Sequence, residues 1–199
     1  MYFGISTTMS EVKSQVMYEI IVEDKDGNII KREKRKGHSV LGNWIKIFES
    51  IRSGTTFTPN DTSGSACTIS QIVFSGCDMY APAGDDSYGL VVGTGTTSVD
   101  INDHNLASKI SHGTGSGQLS YGDSNPYTTG SGLTQSRGVE RSFDNNSGGD
   151  VTVNEIGLIM KVYDGSSYYN ILILRDVISA TTVPNGGRLT VKYWITWNP

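Results

Sequence analysis

Over the last third of the chain, apolar and polar positions alternate with a period of two. From Arg188 to Trp197, Leu189, Val191, Tyr193 and Ile195 fall on one face, and Thr190, Lys192, Trp194 and Thr196 fall on the other. This is the pattern of a strand with one face on a core. It turns Tyr193 and Leu189 inward and Trp194 outward. Upstream, RGVERSF (137–143) runs into the turn cluster DNNSGGD, and VTVNEIGLIMKVY (151–163) alternates before filling in with apolar residues. Asp164-Gly165 then closes a hairpin onto SYYNILILRDVI, and Pro184-Asn185-Gly186-Gly187 turns the chain into the final strand. Each of these pieces predicts a strand.

Before residue 137 the pattern is mixed. MYEIIVED and IIKREKR flank Lys25-Asp26-Gly27-Asn28, the signature of a β-hairpin. Val40, Leu41, Trp44, Ile45, Phe48 and Ile51 then recur at spacings of three and four. They predict a core-packing helix over 40–53, capped by Ser39 and stopped by Gly54. Residues 1–15 have no clear periodicity and read as an arm that gains order from a partner. Residues 55–65 read as a linker loop. CTISQIVF (67–74) reads as a strand, 75–87 as a loop, YGLVVGTGTTSV as a further strand and INDHNLASKI as a short helix capped by Asn102 or Asp103. The glycine-rich stretch 111–136 reads as a loop ordered by a partner. Together these predict a mainly β chain: an antiparallel, jelly-roll-like β-sandwich over 66–199, with an N-terminal arm at 1–15. A hairpin plus one amphipathic helix over 16–54 packs on that sandwich.

Composition changes this picture little. The chain has 199 residues, 24 of them glycine, and a formal net charge of -4, so it is long enough for one sizeable sandwich with many turns. A mildly acidic balance offers no global field for nucleic acid or an anionic membrane. No apolar run approaches the roughly 20 residues of a spanning helix, and the N-terminus lacks the basic and apolar regions of an export signal. Cys67 and Cys77 would stand about 30 Å apart across an extended segment, so free thiols are expected. Lys31, Arg32, Lys34, Arg35 and Lys36 make one hairpin strand strongly basic. A solvated edge strand protected by charge accounts for it better than a phosphate grip, because no aromatic is interleaved.

Candidate chemistry is sparse. Gly93-Thr94-Gly95-Thr96-Thr97 lacks the Lys-Ser/Thr of a phosphate loop and opens no helix, so a turn or bulge explains it better. His38, His104 and His112 are isolated, and Asp78, Asp85, Asp86, Asp100 and Asp103 do not follow a calcium-loop pattern. Glu140 and Glu155 sit inside the late strands. They are more economically hydrogen-bonded, or paired with Arg141 or Arg175, than poised as a hydrolytic pair. No catalytic, cofactor or metal residue is expected.

The segments GLVVGTGTTSVDINDHNLASKI, then Arg141 to Leu158 with its Asn-Glu-Ile-Gly-Leu, then LILRDVISATTVPNGGRLTVKYWIT resemble a family of small all-β virion proteins encoded by tailed bacteriophages and related viruses. The resemblance spans roughly residues 90–196, with 111–136 outside the pattern. It implies a structural protein made in the host cytoplasm and built into the head, neck or tail of a particle. Such a protein would bind copies of itself and other virion structural proteins, while the charge balance disfavours nucleic acid and the hydropathy offers no membrane span. Trp194, Trp197, Tyr168, Tyr169, Lys34, Arg35 and Lys36 are then the expected contact residues. A receptor- or carbohydrate-binding module using loops 75–88 and 111–136 is the alternative.

Overall fold

Strict alternation in the sequence becomes two antiparallel sheets packed face to face. The structure, a computed structural model, describes residues 13–37, 40–69, 76–132 and 134–198, with the backbone alone at Lys13, Trp197 and Asn198. The predicted Ser39 cap, His38 and most of the predicted strand 67–74 lie outside the described residues. The elements are β1 (Lys13–Glu23), β2 (Ile29–Lys36), α1 (Gly42–Ser53), β3 (Cys77–Asp78), β4 (Gly89–Gly93), β5 (Ser120–Ser131), β6 (Thr134–Asp144), β7 (Val151–Tyr163), β8 (Tyr168–Val183) and β9 (Arg188–Asn198).

One sheet has the order β2-β1-β9-β6-β5. The hairpin β1–β2 therefore continues the sheet that β9 belongs to, with Tyr18 opposite Tyr193 and Ile20 opposite Val191. In the other sheet β8 runs along one edge of β7, while β3 and β4 share the opposite edge. All these pairings are antiparallel, and the expected mainly β sandwich is what forms. Its core joins Ile20, Val139, Phe143, Val191 and Tyr193 of the first sheet to Leu90, Ile156, Leu158 and Ile173 of the second. The near-continuous apolar runs of β7 and β8 reflect burial on both faces. One face meets the first sheet, and the other is covered by the long connection between β4 and β5.

That connection is fastened by charge. Glu155 on β7 is fully buried, and its carboxylate accepts the backbone N–H of Gly95 (3.0 Å), Ala107 (3.1 Å) and Ser108 (2.8 Å). Arg175 on β8 donates to Glu155 at 2.9 Å, to Asp103 at 2.7 Å and to the Thr97 carbonyl at 3.0 Å. Burial alone would lower the Arg175 pKa, but its hydrogen bonds to Asp103 and Glu155 outweigh that and raise it. A Cβ on Gly93 would meet the Glu155 carboxylate at 2.5 Å, so only glycine lets the strand pass this close. Leu106 settles onto Gly157, where a Cβ would approach its Cδ2 to 2.8 Å.

Three expectations give way here. Residues 101–110 form turns and no helix, because the N–H groups of Ala107 and Ser108 point at Glu155 and are not free to bond the preceding turn. Much of the stretch read as a loop, 111–136, is the edge strand β5, paired with β6 from Ser120 to Ser131. Its solvent-exposed faces hid the alternation. The helix also turns a different side inward. Asn43, Ile47 and Ser50 are buried, while Ile45 is 53% and Phe48 55% exposed. Val40 bridges to Leu174, and the Leu41 N–H binds the Ile173 carbonyl at 3.0 Å along the free edge of β8. That anchorage sets the rotation of α1. Gly54 ends the helix as expected, in the left-handed conformation with its N–H on the Ser50 carbonyl.

Replacing Arg175 by Met leaves Glu155 buried without its cation and releases Asp103, so a loss of about 3–5 kcal/mol is expected. Glu155→Leu should cost at least as much, since three N–H groups lose their acceptor. Urea unfolding monitored by circular dichroism measures both. Wild-type stability in either variant would contradict this role.

Candidate functional site

The sheets part at the end where β1 begins, leaving a cleft that reaches core side chains. Val139, Tyr193 and Ile195 line it from the first sheet, and Leu158, Ile173 and Leu174 line it from the second. Trp44 and Phe48 of α1 form one lip, while Met79, Tyr80 and Arg137 complete the rim. The resulting cleft is predominantly apolar and has a volume of about 410 Å³. A more open hollow of about 420 Å³ shares Ser14, Trp44 and Ile195 with it.

Two features of the cleft stand out physically. Tyr193 is 1% exposed, yet its hydroxyl has no hydrogen-bond partner among the described residues. An unsatisfied buried hydroxyl costs about 1–3 kcal/mol. The lip is equally unsettled, because Phe48 packs edge-on against Trp44 at 4.8 Å while turning its other side to solvent. With Ile45 beside it, α1 presents an apolar face that is more than half exposed among the described residues. Arg137 supplies the rim's positive charge, its guanidinium resting on the Ser136 carbonyl at 3.0 Å.

The ionisable residues considered for chemistry are engaged in structure. Glu155 and Arg175 pair with each other, and Glu140 pairs with Lys192 at 3.3 Å. Arg141, 1% exposed, donates to the carbonyls of Tyr88, Leu90, Pro82, Asp85 and Gly122. It also lies over the Tyr121 ring at 4.8 Å. Burial lowers the Arg141 pKa and raises that of the Tyr121 phenol. Asp86 accepts from the His112 N–H and from Lys109. These contacts overcome the effect of burial and hold its pKa below the usual carboxylate value. His112 in turn accepts the Tyr121 N–H at 3.0 Å. Cys67 and Cys77 are free thiols.

Of the expected contact residues, the structure brings Lys34 and Trp194 together: the ammonium sits 5.0 Å above the indole ring. Trp194 does lie on the outer face of its sheet, but it is only 4% exposed, which corrects the expectation of an open aromatic anchor. Tyr127 covers it at 5.3 Å, and Lys192 lies over Tyr127 at 4.9 Å. Gly138 makes room for this stack, since a Cβ there would meet the Trp194 Cβ at 2.5 Å. Arg35 and Lys36 stand exposed on the edge strand β2, Arg35 paired with Glu33. Tyr168, 63% exposed, stacks on Tyr163 at 4.7 Å in the other sheet, and Tyr169 is half-buried. Trp197 takes its place in β9 opposite Ser14 and Gln135, and its side chain lies outside the described residues.

Sequence reasoning found the apolar stripe of α1 but assigned Ile45 and Phe48 to the core. It missed Tyr127 because that residue sits among glycines and threonines. Comparison of the chain with protein-family models, curated proteins and solved structures returned no match.

Trp194→Ala is expected to destabilise the chain itself by about 3 kcal/mol, because it empties a covered aromatic site. Chemical denaturation tests this directly. An unchanged unfolding midpoint would restore Trp194 as a free surface residue.

Proposed function

We propose that this chain is a virion structural protein. In this reading it assembles through protein–protein contacts into a symmetric, many-copy part of a phage-like particle. The observation that supports this best is the exposed apolar face of α1, Ile45 and Phe48, beside the mouth of an open apolar cleft. A contiguous apolar patch of this kind marks an interaction surface, and the cleft beside it gives a partner's side chains somewhere to go. The edge strand β2 fits the same role, because its lysines and arginines discourage indiscriminate strand pairing and leave other faces to choose the partner.

The resemblance to phage virion proteins supports the reading from another side. Of its motif residues, Gly95, Glu155 and Arg175 build the buried charge hub, Gly93 makes room for it, and Leu106 packs on Gly157 beside it. The assembly surface is argued from α1 and the cleft. Receptor or carbohydrate binding is a second reading, favoured by the exposed Tyr168, which packs on Tyr163 with Lys161 over its ring. Of the loops first considered for it, 111–136 is largely strand.

Sedimentation velocity over a concentration series should show the wild-type chain forming a defined many-copy species. Ile45→Asp should raise the concentration needed for half-assembly by about tenfold or more, equivalent to about 1.4 kcal/mol per contact, with an unchanged thermal midpoint. A wild-type chain that stays monomeric throughout would remove the proposal.

A further inference from the structure

We propose that the cleft is the seat for the N-terminal segment, residues 1–12, of a neighbouring copy of the same chain. This rests on the assembly reading above and names the contact that would carry it. The segment reads MYFGISTTMSEV, with Met1, Tyr2, Phe3 and Ile5 grouped at its beginning. Those apolar side chains match an apolar cleft of about 410 Å³, a size within the range of ligand-binding cavities, about 300–1,000 Å³. The segment's one charged side chain is Glu11, and Arg137 stands on the rim.

Position and length favour exchange between copies. The segment leaves β1 next to Ser14, a residue of the cleft rim, so arms and clefts meet at the same end of the molecule. At Lys13 the chain is still paired in the sheet, opposite Asn198. A return into its own cleft therefore needs a sharp reversal just before that point. Residues 1–12 contain no proline, asparagine or aspartate, and their glycine is Gly4, far from the exit. Twelve extended residues reach about 40 Å, enough to cross to an adjacent copy.

Two full-length variants test the exchange. Phe3→Asp keeps the cleft and spoils the segment, while Phe48→Asp keeps the segment and spoils the cleft lip at a solvent-exposed position. Each alone should be monomeric by sedimentation velocity, with wild-type circular dichroism and thermal midpoint. Mixed in equal amounts, they should form a one-to-one dimer, because one intact segment then meets one intact cleft. If either variant assembles as well as the wild type, the segment–cleft pairing is wrong while the assembly reading stands. If both are monomeric and the mixture stays monomeric, exchange is wrong. A wild-type chain that never assembles overturns the assembly reading, and this inference with it.

Discussion

The structure depends on one buried arrangement, the carboxylate of Glu155 held between the Arg175 guanidinium and three backbone N–H groups. A long polar connection between β4 and β5 would otherwise have to lie across an apolar sheet with its peptide groups unsatisfied. Glu155 supplies the acceptors from within the sheet, and Arg175 neutralises it while reaching out to Asp103 and Thr97. Such an ion pair adds less net stability than its geometry suggests, since both charges leave water. Its effect is positional: it decides which turn of the connection meets which residue of the sheet.

Arg141 does the same work at the other side of the core. Donating to five carbonyls, it ties the connection before β4 to β5 and β6. Two buried arginines thus fasten irregular chain to regular sheet. With those segments fixed, one end of the molecule carries the apolar cleft. There the sheets part, the Tyr193 hydroxyl has no partner among the described residues, and α1 turns Ile45 and Phe48 to solvent. In the proposed assembly, that end is where a copy of the chain would dock.

Much of this was legible from the chain. The strands β6 to β9 and the hairpin β1–β2 followed from alternation and turn residues, and the pairing of Glu155 with Arg175 was among the expected accounts of that acid. What could not be read was set by contacts distant in sequence. Asn102 to Ile110 carries a helix pattern, but Glu155, some fifty positions away, takes its N–H groups. The apolar stripe of α1 was plain, yet its rotation depends on Leu41 pairing with β8. Ser120 to Ser131 lacked a hydrophobic rhythm because an edge strand with both faces partly in water needs none. Trp194 fell on the correct face, and its burial came from Tyr127, a residue with no pattern around it.

The central claim is that the α1 face and the cleft are where this chain meets its copies. Hydrogen–deuterium exchange by mass spectrometry, compared between dilute and concentrated protein, tests it most directly. The account predicts that protection on concentration rises in 42–53, 79–80, 135–139 and 193–196, and stays constant through the hub at 94–109 and 153–157. Protection confined to the β2 edge or to the Tyr163–Tyr168 hairpin, with the cleft unchanged, would contradict it.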